Sequence, residues 1–153
     1  MSTYRAPMQD IKFVMNELAG LEQVSKLPGF EDATPDTVAA ILEEASKFAT
    51  EVLDPLNAVG DREGSTWQEG GKVKTPTGFK DAYRRFTENG WNGLTKNPEH
   101  GGQGLPQLVA TAVEEMWHGA NLAFALCPLL TQGAIEALEL VGSDAQKAKY
   151  LHK

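Results

Sequence analysis

Apolar positions recur at helical spacing through most of the chain. Ile11, Val14, Met15 and Leu18 share one face behind Asp10, which predicts a short helix over 10–18 with Asp10 as its cap. Gly20 breaks it, and Leu27-Pro28-Gly29-Phe30 reads as a turn, so residues 1–33 form a helical extension laid on the rest. Thr34-Pro35-Asp36 then combines a hydroxyl cap, a proline whose missing N–H costs nothing at the first helical position, and an acid beside the positive helix end. From there Val38, Ile41, Leu42, Ala45, Phe48, Ala49, Val52 and Leu53 make one stripe. That helix is expected to end at Asp54, because Pro55 disfavours helical geometry in the residue before it.

Residues 57–75 are polar and glycine-rich and read as a long loop, with only a weak signal for paired strands around Trp67 and Val73. Thr75-Pro76 repeats the cap-plus-proline signature and predicts a helix over 76–88, with an aromatic stripe of Phe79, Tyr83 and Phe86 and a left-handed end at Asn89-Gly90. After a second glycine-rich loop, Pro106 opens a helix to about His118, and another starts near Asn121. Its stretch 122–130 is apolar nearly all round, which predicts burial on most sides, and Pro128 is expected to bend or restart it. Ser143-x-x-Gln146 is a capping box for a last helix through Tyr150 and Leu151. The chain stops inside that helix, at Leu151-His152-Lys153, which reads as truncation. The fold class is therefore all-α, a bundle of about six helices in which 34–153 is the main domain behind the 1–33 extension.

Composition narrows the classes. With 153 residues, 41% hydrophobic and 23% charged, the chain suits one packed domain rather than disorder. Its longest run free of charges and breakers, 122–127 continuing past Pro128 to Leu130, falls well short of the roughly 20 apolar residues that cross a bilayer, so no membrane span is expected. No apolar segment or cleavage site follows Met1-Ser2-Thr3-Tyr4-Arg5, and a cytoplasmic location is the default. Cys127, the single cysteine, is expected to pack as a small buried hydrophobe. A net charge of −7 with 14 scattered Lys and Arg disfavours nucleic acid. The same acidity repels anionic ligands at long range, so a basic site for one must be local, and none is visible.

Motifs with chemical potential reduce to structure on inspection. Glu115-x-x-His118 has the spacing of half a di-iron site, but the second Glu-x-x-His and the further glutamates are missing, and no metal is expected. Gly101-Gly102-Gln103-Gly104 lacks the preceding strand and the Lys-Ser/Thr of a phosphate cradle and reads as a turn. His100 beside it has no partner fixed by sequence. Trp91, after the helix-ending Gly90, is expected to anchor a core or interface.

Gly90-Trp91-Asn92-Gly93-Leu94, followed by Pro98-Glu99-His100-Gly101-Gly102-Gln103-Gly104-Leu105-Pro106, resembles the helix–loop–helix signature of acyl-CoA dehydrogenases. Glu51-Val52-Leu53-Asp54-Pro55-Leu56-Asn57, with Gly60-Asp61, resembles the exit of that family's first long helix. Val113-Glu114-Glu115-Met116 and Gly142-Ser143-Asp144-x-Gln146-Lys147-x-x-Tyr150-Leu151 are similar to later landmarks, so the likeness covers about 34 to 153. The opening from Tyr4 to Phe30 is similar to the extension of a larger-chain subgroup, the 3-methylmercaptopropionyl-CoA dehydrogenase-like enzymes. One departure is Pro98, three residues before Gly101 where the family commonly has four, which affects the loop's local path.

The resemblance implies that the full enzyme oxidises acyl-CoA to trans-2-enoyl-CoA. A glutamate takes the α-proton, FAD takes the β-hydride, an electron-transfer flavoprotein reoxidises the flavin, and the enzyme is a homo-oligomer. In the family the glutamate and the main flavin contacts lie beyond the position of Lys153, so no catalytic or confident cofactor-binding residue is expected here. What remains for this domain is part of the acyl pocket wall, by position Phe124, Cys127, Pro128 and Thr131, with core packing an equal alternative for each. Bulky Phe124, Leu129 and Leu130 in such a wall would favour short or medium acyl groups. The alternative function is a stand-alone helical interaction domain, a scaffold without catalysis.

Overall fold

The computed structural model describes residues 4–151, so Met1-Ser2-Thr3 and His152-Lys153 lie outside the described residues. The all-α class holds: helices dominate, and the only sheet among the described residues is a two-stranded hairpin. In the extension, α1 (Met8–Phe13) runs into a π turn at Val14–Leu18, and a short α2 (Leu21–Val24) follows. Asp10 is not the cap expected from sequence; the helix starts two residues earlier, after Pro7, and Asp10 sits in its first turn beside the positive end. Ile11, Met15 and Leu21 bury into the main core.

α3 (Pro35–Phe48) starts as its sequence dictates, with Thr37 N–H donating to Thr34 Oγ1 at 3.2 Å and Pro35 at the first position. It does not stop at Asp54. A π turn at Ala49–Leu53 carries the backbone directly into α4 (Asp54–Glu63). Pro55 has no N–H for the helical ladder, and the wider turn just before it absorbs that loss. Asp54 stays right-handed helical (φ −59°, ψ −46°), contrary to the pre-proline preference, because Ala49, Val52 and Leu53 are buried against α6 (Gln107–Val141).

The region read as one long loop thus opens as helix and continues as a hairpin, β1 (Thr66–Gln68) antiparallel to β2 (Lys72–Lys74), with Trp67 opposite Val73. α5 (Phe79–Glu88) begins later than Thr75-Pro76 suggested, with Gly78 as its N-cap. Gly78 has φ 87°, and a Cβ there would meet Leu56 Cδ2 at 2.6 Å, so both the backbone conformation and the close approach call for glycine.

As expected, a second helix starts near Asn121, whose non-helical backbone (φ −157°, ψ 88°) divides α6 into two halves. Asn121 Oδ1 accepts from Phe124 N–H at 3.0 Å, so this residue caps the second half from within. Pro128, expected to bend or restart the helix, remains within helical geometry. The capping box is as expected: Ser143 and Gln146 close reciprocal bonds at the start of α7 (Asp144–Tyr150). Around the middle of the fold, Phe48, Phe86, Trp91 and Trp117 meet edge-on or tilted, with centroids from 5.2 Å (Trp91–Trp117) to 6.5 Å (Phe48–Trp91).

Candidate functional site

The second half of α6 carries the features sequence singled out, but not as a helix buried all round. Leu122, Leu126, Leu129, Leu130, Leu140 and Val141 are exposed, Leu130 at 77%. Leu122, Leu126 and Leu129 lie at i, i+4 and i+7, and the exposed Gly133, Ala137 and Leu140 continue the same side. The opposite side points inward through Phe124, Ala125 and Pro128. By length and composition α6 is long and apolar enough to cross a bilayer, unlike the shorter run 122–130, with a mean hydropathy of 1.4 over its most apolar part. Its backbone breaks at Asn121, however, and Val109, Val113, Met116 and Trp117 of its first half lie in the core, a common place for a long apolar helix in a globular domain.

The four pocket positions named from sequence do not converge. Phe124 is enclosed at 4% and packs on Phe79, Tyr83 and Phe86. Cys127 is exposed, against the expectation of burial. Phe124 and Cys127 both border an apolar groove of about 740 Å³ between α5, α6 and the hairpin, with Phe79 and Val73 on its other walls. Pro128 is buried on the side of Trp91 and Trp117. Thr131 borders a separate, more polar groove with Lys96 and Gly101. What sequence reasoning missed is the leucine stripe, although its i, i+4, i+7 spacing was present in the chain.

The glycine-rich loop before α6 is laced to the second half of that helix. Gln132 Nε2 donates to Asn92 O at 2.8 Å, Lys96 Nζ donates to Glu136 Oε1 at 3.2 Å, and Asn97 N–H donates to Glu139 Oε1 at 3.3 Å. Lys96 is buried, its side chain only 8% exposed, so this pair fixes the loop with a largely desolvated ammonium. Pro98–His100 forms a 3-10 turn after the Asn97 cap, the path taken by the loop whose proline spacing departs from the family pattern.

The Glu115/His118 pair does not act together. His118 Nδ1 lies 2.7 Å from Glu114 O, whereas Glu115 acts on Tyr4, whose hydroxyl pKa is raised first by burial and then by that carboxylate. Tyr4 lies over Gly119, where a Cβ would meet its ring at 2.7 Å, and this contact fastens the extension to α6. No cluster of metal-ligating side chains occurs among the described residues.

The described residues thus bring together a leucine-striped half of α6 and a glycine loop laced to it. Comparison with known proteins gives the family of this domain. Residues 35–153 match the family model described as "Acyl-CoA dehydrogenase, N-terminal domain", and the chain belongs to that family. It is 46% identical over 151 residues to 3-methylmercaptopropionyl-CoA dehydrogenase of Ruegeria pomeroyi, a match covering 99% of this chain and 26% of that protein. It is 29% identical over 124 residues to the broad-specificity linear acyl-CoA dehydrogenase FadE5 of Mycobacterium tuberculosis, covering 80% of this chain and 20% of that protein. The chain thus spans about a quarter or less of the length of these relatives, and the first match runs through the extension as well.

Proposed function

We propose that this domain is the N-terminal part of a flavin-dependent acyl-CoA dehydrogenase and supplies one wall of its acyl pocket. The observation that carries the reading is the exposed stripe Leu122–Leu126–Leu129 on the second half of α6, in a domain matched end to end by 3-methylmercaptopropionyl-CoA dehydrogenase. A solvent-facing apolar band of this kind marks a surface built to be covered. FAD, the α-proton-abstracting base and the site for electron-transfer flavoprotein belong, in this reading, to the remainder of a longer homo-oligomeric enzyme working in the cytoplasm. Of the four positions named from sequence, Cys127 and Thr131 are the more accessible ones, and Pro128 supports the wall from inside. Phe124, largely buried, still borders the groove beside Cys127, and with Leu129 and Leu130 it is a side chain to limit acyl length.

The test is the longer protein encoding this domain, purified with its flavin. Anaerobic acyl-CoA should bleach the flavin's visible absorbance, and Leu129→Ala should shift the preferred acyl length upward, while the 153-residue chain alone should be inactive. A longer product without flavin, unresponsive to acyl-CoA of any length, would favour the scaffold reading instead.

A further inference from the structure

We infer that a small cavity between Trp91 and α6 is a binding site for an ordered internal water, which is the hydrogen-bond partner of the Trp91 indole. The cavity holds about 30 Å³, and its polar walls are Trp91, Thr95, Glu114, His118 and Gln132. Trp91 Nε1 is shut off from solvent and has no protein partner. An indole N–H can only donate, and a buried donor left unpaired is costly, so the site calls for an acceptor.

His118 supplies the complementary group. Its Nδ1 lies 2.7 Å from the carbonyl of Glu114, which can only accept, so Nδ1 is the donor there and Nε2, when it carries no proton, is an acceptor. Trp91 and His118 both line the cavity, the first bringing a donor from the loop and the second an acceptor from the helix. Water meets both, accepting from Trp91 and donating to His118. A water needs roughly 10–15 Å³ of such space, so the cavity has room for one or two and for little else. An apolar guest of that size would leave the indole N–H unpaired. The bridge would join Trp91, in the turn after α5, to the first half of α6, independently of the side-chain ties that hold residues 92–97 further along that helix. It lies inside the domain and does not depend on the enzymatic reading.

Two measurements decide it. In the ¹⁵N-labelled protein, with the indole resonance assigned by its loss in Trp91→Phe, the Trp91 Nε1 proton should show a direct rotating-frame cross-peak to water; its absence overturns the proposal. Replacing Trp91 with the isosteric benzothienylalanine, which has sulfur in place of N–H, should lower the urea midpoint because a water-mediated bond is lost. A raised midpoint would mean that the native donor is an orphan whose removal brings relief, and that too overturns it.

Discussion

Asn121 Nδ2 lies 3.1 Å from the carbonyl oxygen of Leu53, so the break in the longest helix is pinned to the π turn of the helix beside it. One amide serves two irregularities: its nitrogen satisfies a carbonyl of the π turn, and its oxygen caps Phe124. Asn121→Ala leaves a buried carbonyl and a buried N–H unpaired, and should cost about 2–4 kcal/mol. Urea denaturation measures it; a loss under about 0.5 kcal/mol, the range of an ordinary surface change, would mean that neither bond matters.

Gly119 governs the seating of the extension. In Gly119→Ala the new methyl meets the Tyr4 ring and should push it off α6, although alanine is otherwise the better helix former. Burial and Glu115 hold the Tyr4 pKa above its ordinary value of 10.0, so the contribution of this contact is complete below that value and is lost as pH rises through the higher folded pKa. Ultraviolet titration, with Tyr4→Phe as the reference, should show the perturbed phenol in the parent and its return to about 10 in Gly119→Ala.

At the base of the hairpin, Thr77 N–H donates to Glu63 Oε2 at 2.7 Å. This bond, a second one to Thr77, and the nearby Lys74 and Arg62 lower the Glu63 pKa. A lowered folded pKa contributes stability above the unfolded value and loses it as pH falls through the folded one. The Thr77 amide resonance should therefore titrate with a midpoint below 4.5 and stop titrating in Glu63→Gln. A midpoint at or above 4.5 would show that the clasp does not form in solution.

The leucine stripe should govern association of the isolated domain. Sedimentation velocity is expected to show concentration-dependent self-association, reduced in Leu126→Lys and Leu130→Glu, with melting unchanged within about 0.5 kcal/mol because both side chains face solvent. A parent that stays monomeric at every concentration would count against a surface built to be covered.

Local chemistry was the legible part of this chain. Thr34 with Pro35, Ser143 with Gln146, and the new start at Asn121 each act within a few residues, and each lies where the pattern put it. Pro55 misled because its effect is decided by tertiary burial: with Ala49 and Leu53 held under α6, a π turn costs less than ending the helix. Thr75-Pro76 lost to Gly78, since a tight approach to Leu56 set where α5 begins. The strands at Trp67 and Val73 are too short to give a periodic signal. At the candidate site the limit is different in kind. A run such as 122–130 shows that a helix seeks apolar company on every side, but not which side finds it within the same domain, and so Cys127 and the leucines were placed inside.

The ties from Gln132, Glu136 and Glu139 lie on successive turns of one helix face and reach residues about forty positions earlier in the chain. They work as a row of buttons: undoing one leaves the loop in register on the others, whereas unwinding the helix frees all of them together. Residues 92–97 and 132–139 should therefore share one opening event in hydrogen exchange, and whatever packs on the leucines behind those buttons also decides how firmly the glycine loop is fastened.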